Sequence, residues 1–110
     1  LQPSDLPEKV DLVMIDVSFI SLTLILGPVF DVLKEDGSVV ALIKPQFELK
    51  KEQIGKGGIV RDSALHEEAV EKIRSFVAAP LGKSWKGVTQ SPISGTDGNI
   101  EFLAWLKHEK

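Results

Sequence analysis

The amino-acid sequence predicts an α/β fold built on a mostly parallel sheet, with one antiparallel strand near the C-terminus. Apolar runs alternate with helix-forming segments in the order strand, helix, strand, helix, strand, strand. Alternating strands and helices are typical of parallel sheets with right-handed crossovers. The last two strands are joined by a segment without a helical pattern, which favours an antiparallel pair. Cysteine is absent, so disulfide scaffolds and thiolate metal sites are excluded.

The first strand and the helix after it occupy residues 11–34. Residues 11–16 (DLVMID) form a short apolar run of strand length, bounded by acids. We expect residues 20–34 to be helical, with a break or kink at Gly27-Pro28, because proline has no N–H to donate. Glu35 and Asp36 would end this helix, with Gly37 in a left-handed cap.

The second strand is followed by a glycine-rich segment. Residues 38–43 (SVVALI) form the strand, which ends at Lys44-Pro45 because proline cannot donate to a sheet ladder. Residues 46–62 carry three glycines and show no steady period, so we expect a loop. A loop of this length exceeds the usual connection between elements, which favours a functional or mobile segment.

The clearest helix covers residues 63–79, where apolar residues recur at three-to-four spacing. Asp62 or Ser63 can cap its start. His66 lies on this helix without the second histidine that a zinc-binding HExxH helix requires. We therefore expect His66 to lie in solvent.

Residues 85–90 and 100–107 form the last two strands, and three polar residues lie where strands begin or end. Ligands of open α/β sheets bind beyond the carboxyl ends of the strands, where Asp16 and Lys44 lie. Adjacent strands are about 4.8 Å apart, so these two side chains can meet. Glu101 begins the last strand, whose reversed direction would place it at the same edge. Taken singly, Asp16 fits a turn or cap residue and Lys44 a solvent-facing strand end.

Charge and hydropathy restrict the partners. The net charge of −3 argues against nucleic-acid binding by overall charge alone. Residues 44–62 nevertheless form a net-basic window with five basic and three acidic residues. Such a window is usually solvated surface, and nucleic-acid contact is the alternative. The longest nearly apolar stretch, residues 19–30, has 12 residues, whereas a membrane span needs about 20.

Four ordered strings resemble the TlyA, or haemolysin A, family: IDVSFISL (15–22), LIKPQFE (42–48), GKGGIVRD (55–62) and SPISGTDGNIEFL (91–103). This family belongs with the FtsJ-like RNA ribose 2′-O-methyltransferases, and the likeness covers nearly the whole chain. It implies a partial Rossmann-like methyltransferase fold that uses S-adenosylmethionine and requires no metal. It also implies ribosomal RNA or ribosomal subunits as partners, and a cytoplasmic protein.

The resemblance implies roles for the residues at the sheet edge. FtsJ-like enzymes carry a Lys–Asp–Lys–Glu set, to which Asp16, Lys44 and Glu101 correspond as the acid, the second lysine and the glutamate. Lys44 would take the proton of the ribose 2′-hydroxyl. Asp16 would orient that lysine beside the cofactor methyl group, and Glu101 would accept a hydrogen bond on the substrate side. The basic residues that would meet RNA phosphates are Lys50, Lys51, Lys56 and Arg61.

The resemblance is partial. The family's first lysine and its glycine-rich cofactor loop both precede the strand that ends in Asp16, and neither lies in residues 1–110, nor does an N-terminal S4 domain. We therefore expect residues 1–110 to be the C-terminal part of a single methyltransferase domain, active only within a parent protein. A membrane-lytic haemolysin and a non-catalytic α/β binding module remain as alternatives.

Overall fold

The computed structural model describes residues 9–17, 20–54, 59–60, 62–92 and 98–108. The strands are β1 Val10–Ile15, β2 Leu33–Ile43, β3 Ser84–Gln90 and β4 Phe102–Lys107. The helices are α1 Leu26–Val32, α2 Pro45–Glu48 and α3 Ser63–Ala78, and two 3₁₀ turns lie at Leu22–Leu24 and Lys51–Gln53.

The four strands form one sheet in the order β1-β2-β4-β3. β1 and β2 are parallel, whereas β4 is antiparallel to both of its neighbours, β2 and β3. β1, β2 and β3 therefore run in the same direction. β4 lies between β2 and β3 and runs in the opposite direction. This arrangement confirms the predicted α/β class with one reversed strand near the C-terminus.

One face of the sheet carries the hydrophobic core. Side chains from α1 and α3, including Phe30, Ile73 and Val77, pack on this face in one cluster. The opposite face is open, with Met14 at 73% and Trp105 at 47% exposure. The strand residues of the covered face are fully buried: Val39, Ala41, Ile43, Ala104 and Leu106.

α3 begins where the sequence predicts. The Asp62 side chain caps it by accepting a hydrogen bond from the Ala64 N–H at 2.9 Å. The prediction that His66 lies in solvent is wrong, because this residue is buried. Its Nε2 lies 2.8 Å from the Val60 carbonyl oxygen, and its ring lies against Phe102. A polar ring on the buried face of a helix is tolerated when such a partner satisfies it.

The helix predicted over residues 20–34 is shorter at both ends: a 3₁₀ turn at Leu22–Leu24 precedes α1, which covers only Leu26–Val32, and β2 already begins at Leu33. Gly37 lies inside β2, so its prediction as a left-handed cap is wrong. A different constraint explains glycine at this position: an added Cβ would lie 2.8 Å from the Asp11 carbonyl oxygen of β1. The pairing of β1 with β2 shifts register at this point, and the two backbones approach closely.

Gly37→Ala in the intact protein should lower the free energy of unfolding by about 1–3 kcal/mol, the usual cost of overpacking. The Asp11 carbonyl is part of a paired strand and cannot turn aside as a flexible side chain could. Gly27→Ala in α1 is the matched control, because no atom lies within 4 Å of its added carbon and alanine favours a helix by about 1 kcal/mol. Urea unfolding measures both variants, and equal effects would contradict the close-approach explanation.

Candidate active site

Two strand pairings bring the residues beyond the strand ends to one edge of the sheet. Ile15 of β1 pairs with Ala41 of β2, and Ile43 of β2 pairs with Phe102 of β4. The residues that follow β1 and β2 therefore lie beside the residue that precedes β4. They are Asp16, Lys44 and Glu101, the three residues that the sequence predicts to converge.

Asp16 and Lys44 form an ion pair at this edge. The Oδ1 atom of Asp16 lies 2.5 Å from the Nζ atom of Lys44. The Lys44 side chain is only 12% exposed, whereas that of Asp16 is 70% exposed. The stem of Lys44 is thus packed in protein, and its amine is held next to a carboxylate that faces solvent.

Glu101 is a buried carboxylate at the same edge, 5% exposed. Ile43 and Phe102 are the last pair of the antiparallel ladder between β2 and β4. Lys44 follows Ile43 and Glu101 precedes Phe102, so the two residues lie next to each other on neighbouring strands. The Oε2 atom of Glu101 accepts a hydrogen bond from Gln46 Nε2 at 3.0 Å. The Ser91 N–H donates to its carbonyl oxygen at 2.8 Å, which fixes the backbone of the residue as well.

Local sequence explains the position of Lys44. Its backbone is extended, with φ −111° and ψ 101°, as the residue before a proline is expected to be. Pro45 ends β2 as predicted and is also the first residue of α2, where its missing N–H has no partner to lose. The prediction of an irregular loop from residue 46 is therefore wrong at its beginning, since α2 and a 3₁₀ turn occupy residues up to Gln53.

Two residues of α2 were missed by sequence reasoning. Gln46 holds Glu101 through its amide nitrogen, while its Oε1 atom is buried without a hydrogen-bond partner in the described part of the chain. Glu48 accepts hydrogen bonds from the Ser21 hydroxyl at 2.6 Å and the Leu22 N–H at 2.9 Å. The partners of Gln46 and Glu48 lie 26 to 55 positions away along the chain. The only sign of these contacts in the sequence is that polar residues follow Pro45.

Lys72 of α3 completes the environment of Glu48. Its Nζ atom lies 3.1 Å from Glu48 Oε1 and donates to the Glu48 carbonyl oxygen at 2.7 Å. The Glu48 side chain is 2% exposed. A carboxylate so deeply buried needs a countercharge and several donors, and Lys72, Ser21 and Leu22 supply them.

The predicted RNA-contacting residues follow α2 along the chain. Lys50 is exposed, and its N–H donates to Gln53 Oε1 at 2.9 Å. The backbone of Lys51 begins the 3₁₀ turn. Lys56 and Arg61 lie outside the described residues.

Comparison with known proteins adds independent information. Residues 1–108 match the family model of the FtsJ-like methyltransferases. The chain is 40% identical over 107 residues to TlyA of Mycobacterium tuberculosis, a 16S/23S rRNA (cytidine-2′-O)-methyltransferase, covering 97% of this chain and 40% of that protein. It is 44% identical over 89 residues to Hemolysin A of Brachyspira hyodysenteriae, covering 81% and 37% respectively.

A solved structure has the same fold. A protein from Lactococcus lactis superposes with a TM-score of 0.91 at 46% sequence identity, over 99% of this chain and 54% of that one. The chain thus spans about two fifths of the length of the curated relatives and about half of this solved structure.

The two acidic residues that contact lysines at the ends of α2 should differ in their effect on stability. Asp16→Asn should change the free energy of unfolding by less than about 1 kcal/mol, because solvent screens the attraction of the exposed Asp16 carboxylate to Lys44. Glu48→Ala should cost about 1–3 kcal/mol, because donors at a buried carboxylate lose their acceptor. Chemical unfolding of the intact protein measures both, and a larger loss for Asp16→Asn would contradict the burial argument.

Proposed function

The chain belongs to the FtsJ-like methyltransferase family, and on that premise we propose that the protein containing it methylates the 2′-hydroxyl of a ribose in ribosomal RNA, with S-adenosylmethionine as methyl donor. The observation that carries this proposal is the convergence of Asp16, Lys44 and Glu101 at the carboxyl edge of the sheet. The rRNA 2′-O-methyltransferase activity of the TlyA relative supports the choice of substrate.

The residues present fit a sulfonium cofactor. Asp16 offers a solvent-facing carboxylate at the edge where α/β sheets bind ligands, and a carboxylate suits a neighbouring cation. When bound, S-adenosylmethionine supplies a methyl group activated by the positive sulfur. We propose that Asp16 contacts that end of the cofactor and at the same time orients the amine of Lys44.

Lys44 is the proposed general base. A ribose hydroxyl is a poor nucleophile until a base removes its proton as the new carbon–oxygen bond forms. A lysine serves as base only as the neutral amine. The packed stem of Lys44 holds the nitrogen in place, so little freedom is lost when the hydroxyl arrives.

Glu101 is the proposed acceptor on the substrate side. Gln46 holds one of its two carboxylate oxygens, which fixes the orientation of the group. Burial in a medium less polar than water strengthens any hydrogen bond that a substrate hydroxyl donates to it. Glu101 therefore positions the ribose, while proton removal is left to Lys44.

Ribosomal RNA would meet the segment after α2. We propose that Lys50, Lys51, Lys56 and Arg61 contact phosphates, supported by the exposure of Lys50 and the net-basic composition of residues 44–62. Phosphate contacts fix the register of an RNA but carry no sequence information. The choice of target nucleotide therefore belongs to other residues.

We further propose that residues 1–110 form the C-terminal part of one methyltransferase domain of a cytoplasmic protein and are inactive by themselves. The support is that the relatives are more than twice as long as the matched segment. The family's glycine-rich loop and first lysine are also not among these residues.

Membrane lysis is the second candidate, because one relative is named Hemolysin A. No helix in the described ranges is long and apolar enough to cross a membrane. The polar face of α3 is rich in acidic residues, including Glu67, Glu68 and Glu71, which does not suit binding to anionic lipid. Dye release from liposomes by the purified intact protein would favour this candidate over methylation.

Lys44→Ala in the intact protein should reduce 2′-O-methylation of ribosomal RNA by about 10²–10⁴-fold, the usual contribution of a general base. Lys44→Arg should be equally impaired, because a guanidinium keeps the charge but cannot become neutral. Transfer of tritiated methyl groups measures the rate. Lys34→Ala is the control, since Lys34 pairs with Asp11 in the first half of β2, away from the site. Retained activity in either Lys44 variant would refute the assignment of the base.

Replacing Lys50, Lys51, Lys56 and Arg61 together with alanine should weaken RNA binding and reduce its dependence on salt. Each lost phosphate contact lowers the slope of log affinity against log salt concentration by about 0.7–0.9. The slope should therefore fall by roughly 3 if all four residues make such contacts. Filter binding over a salt series measures it, and an unchanged slope would show that these residues do not meet phosphates.

A further inference from the structure

We propose that Glu48 is a positioning residue for the methyl transfer: its carboxylate fixes the turn that carries Lys44 against the segment that follows Asp16. This inference rests on the proposed function. Glu48 does not touch substrate, since its side chain is 2% exposed and already bound on both oxygens. It acts through Lys44 and Asp16.

Backbone hydrogen bonds alone cannot fix the turn that carries Lys44. α2 has four residues, Pro45–Glu48, and closes with the Leu49 N–H donating to the Pro45 carbonyl oxygen at 3.1 Å. A single helical turn is unfavourable by itself, because it fixes several residues for one or two hydrogen bonds. Side-chain contacts must therefore hold α2 in place.

The segment after Asp16 has the same weakness. It contains a three-residue 3₁₀ turn at Leu22–Leu24, preceded by Ser21, whose side chain accepts a hydrogen bond from the Thr23 N–H. Asp16 itself is mostly exposed, so solvent screens its attraction to Lys44 and the pair contributes little to holding the two chain segments together. The Glu48 carboxylate supplies the missing connection, because it accepts from both Ser21 and Leu22.

Lys44 and Glu48 stand at the two ends of α2. Lys44 pairs with Asp16, and Glu48 binds Ser21 and Leu22, which follow Asp16 by five and six positions in the sequence. Loss of the Glu48 contacts would therefore allow α2, and with it Lys44, to shift relative to Asp16. Displacements of about 1 Å at a reacting group can cost roughly 10²-fold in rate.

Because Lys72 pairs with Glu48, the contact between Glu48 and Ser21 does not require the charge of Lys44. Lys72 supplies the positive charge that the buried carboxylate needs and also binds the last carbonyl oxygen of α2. Lys44 is thus left to pair with the exposed Asp16. Two carboxylate–lysine pairs stand at the two ends of α2: the carboxylate is buried in the Glu48–Lys72 pair and exposed in the Asp16–Lys44 pair.

The test compares Glu48→Gln with wild type in the intact protein. The amide keeps the size of the side chain but cannot accept a hydrogen bond through its NH₂ group and carries no charge for Lys72. Binding of S-adenosylmethionine by calorimetry gives the fraction of folded sites, and kcat is expressed per site. We expect kcat to fall at least tenfold with the KM for RNA within threefold. Failure of the wild-type protein to methylate RNA would refute the proposed function, which is a separate outcome.

Glu68→Gln is the matched control, an exposed glutamate of α3 that accepts a hydrogen bond from Gln53 Nε2 at 2.6 Å. Its kcat should stay within twofold of wild type.

Ser21→Ala removes one donor to Glu48 and should lower kcat about threefold. If Glu48→Gln fails to fold, Ser21→Ala decides. The double variant should be no worse than Glu48→Gln, because both act through one contact. An unchanged kcat per site in either single variant, with only thermal stability reduced, would overturn the positioning role.

Discussion

The reversed pairing of β4 between β2 and β3 is the constraint on which the arrangement of the site depends. An antiparallel strand brings its own beginning to the edge where its parallel neighbours end. The pairing of Ile43 with Phe102 therefore places Glu101 beside Lys44, although 57 positions separate them in the sequence. With β4 parallel to β2, Glu101 would lie at the other end of the sheet and the three residues could not meet.

Burial divides the carboxylates at this edge into two kinds. Asp16 is exposed and pairs with Lys44, so its surroundings can change when a ligand arrives. Glu48 and Glu101 are buried and held by specific donors, which makes them costly to disturb. An exposed acid suits contact with the proposed cofactor, whereas the buried Glu48 suits a scaffold that stays fixed.

Sequence pattern predicted the features that depend on neighbouring residues. The end of β2 at Pro45 and the cap of α3 at Asp62 follow from the backbone chemistry of single residues. The site edge could be predicted because the ends of parallel strands and the start of a reversed strand lie at the same edge of a sheet. The predicted strands were therefore sufficient to place Asp16, Lys44 and Glu101 at one edge of the sheet.

The errors arise where partners are distant in sequence. The sequence predicts a local cap at Gly37, but the constraint on this residue comes from the Asp11 carbonyl of another strand. It predicts His66 in solvent, but the ring packs against Phe102 of β4, and its Val60 partner is itself held by Asn99 Oδ1, 39 positions away from Val60. Periodicity counts apolar residues on a face and does not reveal which polar residue finds a hydrogen bond across the fold. The buried contacts of Glu48 could not be predicted for the same reason. A glutamate shortly after a proline indicates only the beginning of a helix.

The distribution of charge along β2 bears on how an RNA would approach. Exposed residues Lys34, Glu35 and Asp36 lie in the first half of β2, and the strand ends at Ile43, just before the net-basic window of residues 44–62. Each end of the sheet carries charges of both signs, because Lys107 lies beside the acids at one end and Asp16 lies beside Lys44 at the other. A polyanion such as the proposed RNA substrate would be attracted by the local excess of basic residues in the window that begins at Lys44. The overall charge of −3 is compatible with such a substrate for this reason, because local attraction depends on where the charges lie and not on their sum.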